Sequence, residues 1–186
     1  MNAPATAVEE WTYADYARLP DDGNRYEVID GEVFMTPVPG TMHQHWGANL
    51  YMKLLAYVER HGLGVVLWDV DLLFVTGQYL RPDMLFVARD RLEHVTNRGV
   101  ECQPGLVVEV LSPYSKHVDL VKKPSRYGDF GIPEYWVLDT FRREMMVYRF
   151  AAGATKPETF TGSVEWQPDP RVEALRIEIE EVLRGF

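Results

Sequence analysis

Apolar positions along this chain gather in several short runs, and at helical spacing in one longer stretch. That contrast predicts a mixed α/β architecture. Leu106 to Leu111, bounded by Gly105 and by Ser112-Pro113, is apolar and largely β-branched, which predicts a buried central strand. Tyr26 to Met35 reads as a hairpin turning at Asp30-Gly31, a pair that supplies the positive φ angles of a tight turn. After a loop over Pro37 to Gly40, Thr41-Met42-His43-Gln44 reads as a capping box. It opens a helix to about Arg60, with Trp46, Leu50, Leu54, Tyr57 and Val58 on one stripe. Val65 to Phe74 and Tyr79 to Val87 predict two strands turned by Thr76-Gly77-Gln78, and Tyr135 to Leu138 pairs with Met145 to Phe150 across Thr140 to Arg143. Thr12 caps a short helix ending at Leu19-Pro20, Asp21 to Asn24 is a loop, and residues 89–104 are mostly loop. A helical segment ends near Phe130, and a further strand or two precede a terminal helix near Glu178 to Leu183. The expected fold class is α/β (α+β), a central mixed β-sheet flanked by helices, in one domain over residues 1–186 with 1–10 as a disordered lead.

Two positions break the apolar pattern. Glu109 sits inside the central strand, and Asp83 follows Arg81-Pro82 at the head of Met84-Leu85-Phe86-Val87. A carboxylate in a buried strand is costly unless paired, because burial disfavours its charged form. Taken alone, Asp83 could end a loop and Glu109 could pair with a buried arginine. Together they suggest two acids that meet and share a cation, as hard divalent ions are held by one or two carboxylates.

A basic segment follows, Ser115-Lys116-His117-Val118-Asp119-Leu120-Val121-Lys122-Lys123-Pro124-Ser125-Arg126-Tyr127, and after it Gly131-Ile132-Pro133-Glu134-Tyr135-Trp136. The order Pro-Asp, Glu-Val-Leu-Ser-Pro, Asp-x-x-x-Lys-x-x-x-Tyr, Gly-Ile-Pro-Glu-Tyr-Trp resembles the Uma-two family, restriction endonucleases within the PD-(D/E)xK nuclease superfamily. The resemblance runs from about Tyr26 to the C-terminal helix. It implies a restriction endonuclease-like fold and magnesium-dependent hydrolysis of DNA phosphodiester bonds, with manganese as a possible substitute. Asp83 and Glu109 would hold the metal, with the main-chain carbonyl of Val110 as a third donor. The lysine that the superfamily carries two residues after the glutamate is replaced here by Leu111. The resemblance supplies Lys123 instead, with Asp119 and Tyr127 at spacings of four on one helical face and Lys122 as the fallback. Pro124 disfavours helical geometry at Lys123, so either the helix starts there or it is distorted there. The same resemblance brings Glu27 and His43 near the site. From the residue pattern, Glu27 reads as an edge-strand acid facing solvent, and His43 equally as a solvated first-turn histidine or a substrate-facing one.

Composition modifies this picture at a few points. At 186 residues and 46% hydrophobic, the chain can bury a sizeable core. A single Cys102 excludes an internal disulfide framework and suggests a reducing compartment. The N-terminus lacks signal-peptide character, and Asp69 and Asp71 interrupt the longest apolar run, so a cytoplasmic protein without membrane spans is expected. The net charge of −9 works against nucleic-acid binding unless Lys116, Lys122, Lys123, Arg126, Arg142 and Arg143 form a local basic face. There is no glycine-rich phosphate loop, nucleophile elbow or Cys/His metal spacing. A non-cleaving nucleic-acid-binding module and a protein-interaction domain on the same scaffold are the alternatives. A homodimer is expected because one such centre cuts one strand. Trp11, Tyr13, Tyr16, Trp166 and Phe186 near the chain ends are candidate interface aromatics, or cover for the domain's own sheet.

Overall fold

The computed structural model describes residues 11–74 and 77–185. The expected disordered lead, Thr76 of the expected turn and the aromatic Phe186 lie outside the described residues.

Thr12 caps a short helix α1 (Tyr13–Tyr16) through a reciprocal capping box with Asp15, and the helix stops before the expected Leu19. The hairpin β1 (Arg25–Ile29) and β2 (Glu32–Thr36) turns at Asp30 and Gly31, both at positive φ, as the Asp-Gly pair predicts. The long helix α2 (Thr41–His61) follows. Its N-cap is Gly40, with no side-chain cap bond, so the expected capping box at Thr41 does not form: Thr41 is already inside the first turn. Gly62, at φ 61°, ends α2 in the left-handed conformation.

The two strands expected over Val65–Phe74 and Tyr79–Val87 are each split in two, giving β3 (Gly64–Trp68), β4 (Leu72–Phe74), β5 (Gln78–Leu80) and β6 (Met84–Ala88). Both break at the same level, where Asp69 takes φ 53° and its N–H donates to the Asp83 carbonyl at 2.9 Å. β3 pairs with β6, and β4 with β5 in a different sheet. The apolar pattern continues across the break because both sheets bury the chain there.

A 3₁₀ turn at Arg89–His94 leads to β7 (Val95–Thr96), β8 (Gly99–Val100) and the expected central strand β9 (Leu106–Val110), buried at every position. The crossover to the parallel strand β10 (Glu134–Asp139) begins as a π-helical turn at Val118–Lys122 and continues as α3 (Lys123–Asp129). The hairpin partner β11 (Glu144–Arg149) comes next, then β12 (Glu158–Phe160), β13 (Ser163–Trp166), β14 (Leu175–Glu178) and α4 (Ile179–Val182). Three strands thus follow the second hairpin, where one or two were expected.

The central mixed sheet runs β12-β11-β10-β9-β6-β3 and a second sheet runs β2-β1-β5-β4-β8-β7. One face of the central sheet, with Met84, Phe86, Leu106, Val108, Val110 and Trp136, packs against Leu50, Leu54, Tyr57 and Val58 of α2. A Cβ at Gly47 would lie 2.4 Å from the Trp68 ring, so glycine lets α2 approach β3 closely. The other face, with Leu85, Val87, Val107 and Leu111, packs against Ile29, Leu72 and Leu80 of the second sheet and against Tyr127 of α3. Trp11, Tyr13 and Tyr16 cover the outer part of the second sheet around Tyr79, and Trp166 is buried in the core under α2. These four aromatics fill the chain's own cores. No helix among the described residues is long and apolar enough to cross a membrane.

Candidate active site

The two misplaced acids meet because of strand register. β6 pairs antiparallel with β9, Leu85 opposite Val107 and Met84 opposite Val108, so the next position sets Asp83 opposite Glu109 just past the ladder. Period two puts Asp83 on the face of Leu85 and Val87, and Glu109 on the face of Val107. Side-chain-to-backbone bonds lock the pair together. The Asp83 N–H donates to Glu109 Oε2 at 3.2 Å and the Val110 N–H donates to Asp83 Oδ2 at 2.8 Å. Both acids line a cleft of about 460 Å³ between the two sheets and the start of α2.

Lys123 reaches Glu109 from the crossover. Pro124 has no N–H to donate, so an uninterrupted α-helix cannot pass through it, and the chain takes up the defect as the π turn just before. Lys123 itself stays helical (φ −62°, ψ −40°), so the proline distorts the helix without ending it. Asp119, Lys123 and Tyr127 therefore share one face. Lys123 Nζ stands 2.8 Å from Glu109 Oε1, 2.9 Å from Glu27 Oε1 and 3.1 Å from Asp119 Oδ1, and the Tyr127 hydroxyl approaches Glu109 Oε1 at 3.5 Å. Tyr135 donates its hydroxyl to the Asp119 carbonyl at 2.9 Å. Lys122 points elsewhere, to Glu32 at 3.4 Å and the Phe34 ring.

The expectation that Glu27 faces solvent is wrong. β1 has β5 on its far side as well as β2, so it is an interior strand, and Glu27 faces the central sheet at 6% exposure. It accepts the Arg81 N–H at 2.8 Å beside its ion pair with Lys123. His43 is drawn inward from the first turn of α2. Its Nε2 lies 2.6 Å from the Val110 carbonyl and 3.3 Å from Asp83 Oδ2, and its Nδ1 is buried with no hydrogen-bond partner among the described residues. The Val110 carbonyl thus already bonds one partner, leaving one of its two lone pairs. Leu111, where the superfamily lysine would stand, is buried between the sheets.

One site residue escaped the sequence reading. Arg25 pairs with Asp83 Oδ1 at 2.6 Å and with Asp69 at 3.1 Å, and lines the cleft. It stands two residues before Glu27 and so shares its face, a signal that becomes visible only once Glu27 is known to point inward.

Four buried carboxylates, Glu27, Asp83, Glu109 and Asp119, stand against the two cations Arg25 and Lys123. Burial works to raise the Asp83 carboxyl, but His43 and Arg25 outweigh it and hold it at about 2. Burial pushes Glu109 well above the ordinary carboxylate range; Lys123 pulls against that, and Asp119, Asp83 and Glu27 add to it. Asp119 is pushed up by burial too. Lys123 is held well above its ordinary value, since Asp119, Glu109 and Glu27 overcome its burial. The acids of the centre therefore outnumber its cations, and burial disfavours the charged forms of Glu109 and Asp119.

That surplus sets a stability prediction. Glu109→Gln removes one of three acids around Lys123, and a glutamine oxygen still accepts the Asp83 N–H. The metal-free variant is expected to match the parent or gain roughly 1 kcal/mol in urea unfolding. A loss on the order of 3 kcal/mol would mark Glu109 as half of a structural ion pair.

The basic segment does not form a free cationic face. Arg126 pairs with Asp30 and Asp129, Arg143 with Glu180 and Lys122 with Glu32. Among the described residues Lys116 is exposed with no ion pair, and Arg142 has only contacts of 3.7 and 4.0 Å to Asp139 and Glu144.

The model of the Uma2 family, described as "Putative restriction endonuclease", matches residues 13–180. Among solved structures, the chain is similar to a nuclease from Anabaena variabilis, described as putative and belonging to DUF820. The TM-score is 0.75 at 17% identity, over 91% of this chain and 96% of that one, a likeness of fold. No curated protein matches. The family model covers nearly the whole described chain, and the protein belongs to the Uma2 family.

Proposed function

We propose that the chain is a single nuclease domain acting as a divalent-metal-dependent DNA endonuclease, with Asp83 and Glu109 as the metal-holding acids. The observation that carries this reading is their meeting at one cleft, with Lys123 against Glu109. The donor set fits magnesium or manganese. Carboxylate and carbonyl oxygens are hard donors, and two more buried acids than cations surround the position. Among the described residues no group of three His, Cys, Asp or Glu side chains is arranged to hold a metal alone. Magnesium commonly takes one or two carboxylates and keeps several waters, so two acids and the Val110 carbonyl suffice. When bound, the metal would act as Lewis acid and template at the phosphate.

The chain's own residues have separable tasks. Arg25 and His43 keep Asp83 ionised, hence ready to hold a cation. Lys123, fixed by three acids, holds a positive charge at the cleft where a phosphate's developing charge would be stabilised. Glu27, Asp119 and Tyr127 position Lys123 and Glu109.

Incubation with supercoiled plasmid and with single-stranded DNA, with magnesium or manganese, tests the reading. Nicking, linearisation or single-strand cleavage that stops on chelation is expected; intact DNA under every condition would sink it.

Duplex cleavage requires two centres facing opposite strands, so we further propose a symmetric homodimer. Light scattering on a sizing column is expected to give twice the chain mass. The mass of a single chain would overturn the dimer and leave only nicking, single-strand cleavage or no nuclease role.

A further inference from the structure

Beside the cleft, the hairpin of β10 and β11 carries Phe141 at its tip, 95% exposed. The backbone that carries this ring is fixed. Buried Asp139 accepts the backbone N–H groups of Phe141 and Arg142 at 3.0 and 2.9 Å, which fixes the turn. Arg143, at φ 57°, closes it and is tied to Glu180. A second bare aromatic, Tyr114 at 75% exposure, lines the cleft itself. The groove beneath Phe141 shares Leu111, Ser112, Pro113 and Thr140 with the cleft, so the two are continuous. Lys116, exposed and without an ion pair among the described residues, and the weakly paired Arg142 line that groove.

We propose that Phe141 and Tyr114 are a stacking platform for unpaired nucleobases of the DNA strand entering the cleft, with Lys116 and Arg142 holding its phosphates. This rests on the nuclease reading and deepens it, assigning single-stranded or locally opened DNA as the form bound. The occupant follows from charge complementarity. In a chain of net charge −9, Lys116 and the weakly paired Arg142 sit beside the two barest aromatic rings among the described residues. Aromatic faces with interleaved cations suit a single strand, whose bases offer stacking surfaces that a duplex hides. A hairpin tip fixed by Asp139 binds without first having to be ordered.

The test measures fluorescence anisotropy of a labelled oligothymidylate and of a labelled duplex in EDTA, so that no cleavage intervenes. The parent is expected to bind the single strand more tightly. Phe141→Ala, at a site too exposed to disturb folding, should weaken that binding on the order of tenfold while duplex binding changes little. Phe141→Trp should retain affinity, with added tryptophan fluorescence that the single strand quenches. Lys116→Ala should flatten the salt dependence of binding, as the loss of one phosphate contact does. Met52→Ala, at an exposed apolar position on α2 away from the cleft, should behave like the parent. Equal weakening on both DNA forms, or unchanged binding, would overturn the platform while leaving plasmid cleavage, and with it the nuclease reading, intact. A halved solution mass for Phe141→Ala would reassign the ring to an interface between copies and overturn it too. A parent that neither binds nor cleaves DNA would remove both readings.

Discussion

Asp83→Asn and Glu109→Gln are each expected to abolish DNA cleavage and, in isothermal titration calorimetry, manganese binding. Both substitutions keep the shape of the side chain and remove one negative charge. The remaining amide oxygen is a weak metal donor, and a hard divalent cation depends on carboxylate charge. The two variants should differ in their effect on the fold. Asp83 answers to Arg25 at 2.6 Å and to the Val110 N–H at 2.8 Å, so Asp83→Asn leaves a guanidinium short of its partner. It is expected to cost about 1–3 kcal/mol as well as activity. Glu109→Gln should cost nothing, since burial and the neighbouring acids already disfavour the charge it removes. Manganese binding by Glu109→Gln at the parent's affinity would show that the metal site is misassigned. Cleavage that survives both substitutions would remove the nuclease centre from this cleft altogether.

The acids were legible in the sequence for one physical reason: a carboxylate inside a β-branched run violates the burial pattern, and only a partner can repair it. The central strand, its register face and both tight hairpins were legible likewise, because local patterning decides them. Glu27 and Arg25 were not. Their strand alternates like an edge strand, and what buries it is its pairing with β5 some fifty residues later. The continuous apolar runs over Val65–Phe74 and Tyr79–Val87 hid a change of sheet, since hydrophobicity does not record which sheet a residue is buried in. The break itself is marked by Asp69 and by Arg81-Pro82-Asp83, where the network from Arg81 through Asp69 to Arg25 reaches Asp83. The basic segment misled in the opposite direction. Counting lysines and arginines cannot show that Glu32, Asp30, Asp129 and Glu180 fold back to neutralise them.

Lys123→Ala should reduce cleavage by orders of magnitude, and here the structure changes what must be controlled. In the sequence Lys123 looks like a removable helper. In the fold it is 2% exposed and is the ammonium shared by Glu27, Glu109 and Asp119. Its removal strands three buried carboxylates, and breaking a buried pair in this way costs roughly 3–5 kcal/mol when the charge left behind stays ionised. The folded variant will recover part of that by binding protons. Its carboxyls, already pushed up by burial at Glu109 and Asp119, rise further, and a folded-state pKa above the unfolded value gives stability that is present at low pH and lost as pH rises through it. Lys123→Ala should therefore unfold more readily at pH 7 than near pH 5 by a wider margin than the parent does, as read by urea midpoints. Added metal should restore part of the difference, because a divalent cation answers the same surplus of charge. Cleavage is then compared where circular dichroism shows both proteins folded, with Lys122→Ala alongside. Lys122 is a partly exposed side chain paired to Glu32 at 3.4 Å, and its loss should change the rate by no more than a few-fold, the scale of a surface charge. Equal losses from the two variants would point to general attraction for DNA, and an active, folded Lys123→Ala would leave Lys123 a purely structural cation.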